Sequence, residues 1–181
     1  MRVYKVLPKN DHDLCHPEDW EGFNNAIADR SGSIDWRPFR VRLVHSSEGR
    51  KLRRSDAPWW GSHVLILRPK AVELLGPYLR EHGQLLSLEC DEDVLQAFKA
   101  SRVVDALSTT DSDVARFSDG SISIVWRHVF KPEALLGADV FKLPNFNVSP
   151  IFATDPFVER WRSAGLEGVE FDEIWAGEVK H

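Results

Sequence analysis

Cysteine is scarce, with only Cys15 and Cys90 in 181 residues. Neither has the closely spaced partner that a structural zinc site or a disulfide framework draws on. Long apolar runs are missing as well: nothing approaches the roughly 20 residues that cross a bilayer. No basic and apolar leader opens the sequence, so the expected location is the cytoplasm, with both thiols reduced. Positive charge is in deficit, 23 Lys and Arg against 28 Asp and Glu for a net charge of -5. That balance excludes a whole-molecule electrostatic grip on a phosphate backbone and makes basic partners easier to accommodate than nucleic acid or a membrane. Internal repeats, low-complexity tracts and domain linkers are absent too. What remains is a chain of 43% hydrophobic content, and a chain of this size buries roughly 70% of its unfolded surface. One domain over residues 1–181 needs no covalent staples.

The most legible stretch is Ser55 to Cys90, SDAPWWGSHVLILRPKAVELLGPYLREHGQLLSLEC. Pro58 and Gly61 bracket two tryptophans at a corner, and His63 to Leu67 is an apolar run of strand length. Pro69 suits a first helical position, where its missing amide hydrogen would be unpaired anyway. Ala71, Val72, Leu74, Leu75, Tyr78 and Leu79 then recur at helical spacing and predict the buried face. Gly76 and Pro77 predict a kink or a division into two short helices, and Gly83 a left-handed stop. Leu85, Leu86 and Leu88 return the chain to the sheet, completing a strand, helix, strand unit.

Before this unit, Val3 to Leu7 predicts a strand stopped by Pro8, and Pro17 to Ile27 a short helix on Trp20, Phe23, Asn24 and Ile27. Ser31, Gly32 and Ser33 predict a loop before Ile34 and Trp36. Phe39 to Val44 alternates apolar residues with Arg40 and Arg42, the pattern of a half-exposed strand with a cationic edge. Arg50, Lys51, Arg53 and Arg54 extend that edge. After the unit come the acidic corner Asp91, Glu92, Asp93, a strand from Val94 to Lys99, and a turn or short helix around Val103 to Leu107. Ser118 to Ser121 joins Val114–Phe117 and Ile122–Trp126 in a hairpin with Gly120 available for a positive φ. Lys131 to Leu136 starts a helix at Pro132, Val140 to Leu143 is a short strand, and Pro144 to Pro150 a loop. A last helix, capped by Asp155 and burying Phe157, Val158 and Trp161, ends before Gly165, and Val169 to Trp175 closes the chain as a strand. This order predicts an α+β fold with a largely antiparallel sheet and a few short helices packed on it.

Four residue sets invite a chemical reading. Asp56, Ser62 and His63 contain the groups of an activated serine nucleophile and would make a small hydrolase. Neighbouring strand residues diverge, however, and no glycine-serine-glycine elbow surrounds Ser62, so a turn with Asp56 and Ser62 bonded to backbone amides competes. His12, Cys15 and His16, with Asp11 and Asp13 nearby, have zinc-ligand chemistry without a recognisable fourth partner, and a solvated loop competes. The basic stretch from Arg40 to Arg54 would suit a nucleic-acid-binding module but lacks a base-stacking ladder. Glu89 to Asp93 lacks the glycine and terminal glutamate of a calcium loop. No cofactor or metal is expected. Trp59 and Trp60 are adjacent and cannot easily face one interior, which leaves one for a surface.

SDAPWWGSHVLILRPKAVELL, RVVDAL at Arg102 to Leu107, VARFSDG at Val114 to Gly120, VFKPEALLGADVFKLP at Val129 to Pro144 and SPIFATDPFVERWRSAGLEGVEF at Ser149 to Phe171 occur in order. Together they resemble the motifs of the immunity protein 11 family over residues 36 to 175. The resemblance implies a small cytoplasmic, non-enzymatic immunity protein of a bacterial polymorphic toxin system. Such an antitoxin, made beside a secreted toxin effector in interbacterial competition, binds the toxin and protects the producing cell and its kin. The family supplies no site residues. On physical grounds the toxin-binding candidates are Trp59 and Trp60 as aromatic anchors, with Glu89, Asp91, Glu92 and Asp93 as charges complementary to a basic groove.

Overall fold

The computed structural model describes residues 1–29, 36–146 and 148–178; the expected loop at Ser31 to Ser33 and the neighbouring Ile34 lie outside the described residues. Along the chain run β1 (Arg2–Pro8), β2 (Leu14–Pro17), α1 (Trp20–Ala28), β3 (Val41–Val44), and the two-residue strands β4 (Ser46–Ser47) and β5 (Arg50–Lys51). Then follow β6 (Leu65–Leu67), α2 (Pro69–Arg80), β7 (Gly83–Leu88), β8 (Leu95–Ala100), β9 (Asp113–Arg116) and β10 (Ile122–Arg127). A 3-10 turn at Pro132–Leu135 precedes β11 (Val140–Phe141), β12 (Phe152–Thr154), α3 (Asp155–Ser163) and β13 (Val169–Ala176). The named strands pair antiparallel throughout, and the fold is α+β.

Two sheets organise the molecule. In the first, β8 inserts between β6 and β7 and runs antiparallel to both. The expected strand, helix, strand unit is therefore present but split by a later strand. The second has the order β11-β12-β1-β13, with the first strand paired to the last. Side-chain alternation lets each sheet bury both faces. Leu65, Leu67 and Phe98 point toward α2 and α3, while Ile66 and Ala97 point toward α1 and β3. Tyr4, Val6, Val140 and Ala153 meet the same two helices from the other sheet, while Val3, Phe141 and Phe152 face a third cluster with Phe130, Leu135, Ile122 and Val125. The helices α2 and α3 are thus the central layer, with Phe157, Val158 and Trp161 of α3 fully inside as their spacing predicts.

Local chemistry explains the differences from expectation. The helix α2 continues through Gly76 and Pro77 as one element, because Pro77 stands in its final turn, where one lost backbone bond does not end it. Gly83 begins β7 and is not a left-handed stop; a Cβ there would fall 2.2 Å from the Lys99 carbonyl oxygen, so β8 approaches too closely for any other residue. Gly120 does take the positive φ the hairpin needs, at 83°. Asp155 lies inside α3 with Thr154 as the cap residue, and its carboxylate instead accepts bonds from Arg2 and Tyr4. Val103 and Leu107 join isolated bridges to Lys142 and Phe130 and do not form a helix.

Leu74 corrects the predicted helix face. The buried stripe of α2 is Ala71, Leu75, Gly76 and Leu79, and Leu74, on its margin, is 50% exposed. At the start of the same helix, Arg68 is 2% exposed, with a guanidinium enclosed by Asp13, Asp93 and Ser55. Removing one partner of a buried ion pair strands the other, at about 3–5 kcal/mol, whereas a surface truncation stays within about 0.5 kcal/mol. Arg68→Ala is therefore expected to lower the urea midpoint strongly while Leu74→Ala barely moves it; equal shifts would contradict this assignment.

Candidate functional site

The Arg68 cluster ties together four separate segments. Arg68 Nη2 lies 2.7 Å from Asp13 Oδ2, and its Nε lies 2.7 Å from Asp93 Oδ2. Arg68 also donates to the Ser55 carbonyl, and the Ser55 amide and hydroxyl donate to Asp13 Oδ1 at 3.0 and 2.6 Å. Burial alone would raise the Asp13 pKa, but the bonds from Arg68 and Ser55 overcome it and hold the carboxyl below its ordinary range. Asp93 shifts down in the same way, its burial outweighed by Arg68 and Arg54.

The acidic corner and the cationic strand, which look like separate charged surfaces in sequence, face each other. Backbone bonds from Glu89 N to Phe39 O and from Val41 N to Glu89 O lay the lead-in to β3 along the end of β7. Arg40 consequently reaches Glu89 at 2.7 Å, Asp91 at 2.6 Å and Glu18 at 3.6 Å. His45 lies 2.7 Å from Glu92, and Arg54 2.9 Å from Asp93. Carboxylates still outnumber guanidiniums at this corner, since Arg40 alone serves Glu18, Glu89 and Asp91, so it keeps a negative surplus. The basic stretch loses much of its free charge: Arg40 and Arg54 are paired here, and Arg50 lies 3.7 Å from Glu48.

Trp59 and Trp60 diverge toward different cores and are both half-buried. Trp59 packs on the cluster around α2 and α3, and its backbone amide and carbonyl bond to Asp13 O and Cys15 N. Trp60 packs on the cluster around α1, donates from Nε1 to Asn24 Oδ1 at 3.0 Å and meets His16 edge-on. Neither ring projects freely from the surface.

Two of the three hydrolase ingredients, Asp56 and His63, are engaged elsewhere. The Asp56 carboxylate accepts the Glu167 amide at 2.9 Å and lies 3.2 Å from Lys70 Nζ. His63 Nε2 sits 2.9 Å from the Asn24 oxygen that Trp60 uses. Of the zinc-type residues, His12 Nδ1 is 2.8 Å from the Asn10 carbonyl, and Cys15 is buried, which drives its thiol up to about 12. Among the described residues no group of three or more His, Cys, Asp and Glu side chains is placed to hold a metal ion. No helix among them is long and apolar enough to cross a membrane.

Large apolar side chains do reach the surface elsewhere. Trp20, at the start of α1, is 58% exposed, and Trp126, on β10, is 69% exposed with Ile124 and Phe117 also open to solvent. Sequence inspection marks the strands of this hairpin but not these outward residues, because the alternation of β10 is interrupted twice.

Buried histidines give the molecule an acid-side signature. Burial, reinforced by the Lys142 charge, lowers His63 to about 4, and burial with Lys5 does the same for His128, which stacks on Phe130. The unfolded chain takes up these protons near pH 6.5 while the folded protein refuses them until about pH 4. Stability is therefore complete above about pH 6.5 and falls across that window. Replacing His128 by Phe, which preserves the ring stack, should flatten the slope of unfolding free energy against pH between 6.5 and 4; an unchanged slope would show that His128 is not held neutral.

Residues 98–176 match the model of an immunity protein family, Imm11. No curated protein matches the chain. The matched segment runs from the middle of β8 to the end of β13 and carries the whole β9–β10 hairpin, α3 and three strands of the second sheet, β11, β12 and β13, while β1 lies outside it. Over that segment, the chain is similar to the Imm11 immunity protein family.

Proposed function

We propose that this protein is the antitoxin of an effector–immunity pair: it binds a secreted bacterial toxin in the cytoplasm and blocks it by occupying its working surface. The observation that carries this reading is the family match over residues 98–176. Physical chemistry supports it. An inhibitor needs a preorganised surface with complementary charge and a few anchors, and no catalytic residues. The layered core around α2 and α3 supplies rigidity, and a net charge of -5 suits a toxin with a basic active-site groove. Within this reading the corner formed by Glu89, Asp91 and Glu92 is the steering surface. Its uncompensated negative charge raises the rate of encounter without contributing much to the final contact.

The first test uses the carboxyl-terminal domain encoded by the reading frame next to this gene. Expressed alone that domain should kill, and co-expression of the present chain without any export signal should restore growth; continued killing would refute the antitoxin reading. A second measurement addresses the corner. Replacing Asp91 and Glu92 by Ala should leave the melting temperature nearly unchanged and slow association, most clearly at low ionic strength, because salt screens such charges beyond about 10 Å at 0.1 M. Identical association rates at low salt would remove this corner as a steering surface.

A further inference from the structure

The hairpin of β9 and β10 stands on the second sheet with one face buried and the other bare. In a regular strand, Ile122, Ile124 and Trp126 would share one face and Ser123, Val125 and Arg127 the other. The observed ladder departs from this. Its register shifts between Ile122 and Ile124 and again between Val125 and Arg127, two irregularities in six residues. The first turns the strand so that both Ile122 and Val125 enter the core with Phe130 and Phe152. Ile124 and Trp126 are thereby aimed outward, with Ala115 opposite Ile124 and Phe117 at the turn end. Bulges recur where a strand must re-aim a side chain. Here they project a tryptophan that a regular strand would share a face with the buried Ile122.

The charged side chains around this hairpin, Asp111, Asp113 and Asp119 against Arg116 and Arg127, leave one negative charge in excess. Arg127 is paired with Asp113 at 3.1 Å, whereas Arg116 donates to the Gly120 carbonyl at 2.8 Å, a contact that does not offset its positive charge. Asp111 accepts bonds from the Ser108 and Thr110 hydroxyls, and Asp119 from the Ser121 amide and hydroxyl. None of these donors supplies a compensating positive charge. The ribbon also lies wholly inside the family-matched segment, whereas Trp59, Trp60 and Glu89 to Asp93 lie outside it. We infer that the outward face of the ribbon, built from Trp126, Ile124 and Phe117 with that small negative excess around it, is the apolar contact that holds the toxin, and that its occupant is a basic protein surface with an apolar recess. This rests on the antitoxin reading and divides the labour: the acidic corner accelerates encounter, and the ribbon sets residence time.

The experiment measures binding kinetics of the full-length protein against the neighbour-encoded toxin domain. Trp126→Ala and Ile124→Ser should keep the wild-type melting temperature and association rate, while the dissociation rate rises about 30-fold or more for Trp126→Ala. Trp20→Ala, which removes an equally exposed ring elsewhere, is the control and should change neither rate. If the wild type binds and Trp126→Ala dissociates like it, the ribbon is not the contact, and the antitoxin reading stands. If the wild type does not bind that domain, both fall. Sedimentation velocity supplies the remaining outcome: a wild-type dimer that Trp126→Ala converts to monomer would assign the face to a second copy of this chain and overturn the toxin as its occupant.

Discussion

Arg68 is the point on which the two halves of the first sheet depend. Its guanidinium is out of water, and its backbone amide bonds to the Asp56 carbonyl at 3.0 Å, so the residue joins β6 to α2 while its side chain holds Asp13, Ser55 and Asp93. A buried ion pair adds little net stability over a well-packed apolar substitute. Its consequence is geometric. Asp13 precedes β2, Ser55 opens the tryptophan loop and Asp93 precedes β8, and the planar guanidinium fixes the directions from which these segments approach it. The acidic corner inherits its position from this arrangement, since Asp93 also draws in Arg54 and the adjoining Glu89 lies against Arg40.

With that register set, the remaining apolar surface is distributed among three clusters separated by two sheets. Each sheet carries hydrophobic side chains on both faces, which is why strands such as β6 read as uninterrupted apolar runs although their ladders are antiparallel. The layering consumes most of the aromatic residues. Phe130, Phe141, Phe152 and Trp175 pack in edge-to-face and stacked contacts behind the second sheet. Trp126 and Phe117 are the exceptions in that neighbourhood, and their exposure on an irregular hairpin is what sets the ribbon apart from the rest of the surface.

The charged features divide in the same manner. Most side chains that suggest chemistry in sequence order serve the fold: Asp56 receives the chain at Glu167, His63 shares Asn24 with Trp60, and Asp13 is neutralised by Arg68. The negative surplus of the acidic corner and the apolar ribbon are the surfaces that the proposed binding role would use.

The order of the longer strands and helices, though not the short strands β2, β4, β5 and β12, was legible in the residues, as were the buried stripe of α3, the hairpin at Ser118 to Ser121 and the Pro69 start of α2, because each depends on local periodicity or on the backbone chemistry of proline and glycine. The short motifs between residues 98 and 176 that resemble the family were legible for the related reason that ordered short patterns survive in one dimension. The role of Gly83 was not, since it depends on how closely β8 passes, nor was the exposure of Leu74, which depends on which neighbours reach one side of a helix. Opposite charges at Arg40 and Glu89 read as two surfaces until the pairing of the two segments brought them within 2.7 Å. The outward aim of Trp126 belongs to the same class. Alternation predicts which residues share a face of a regular strand, but the register slips of β10 arise from fitting both Ile122 and Val125 into one core, a condition that only the assembled tertiary structure imposes.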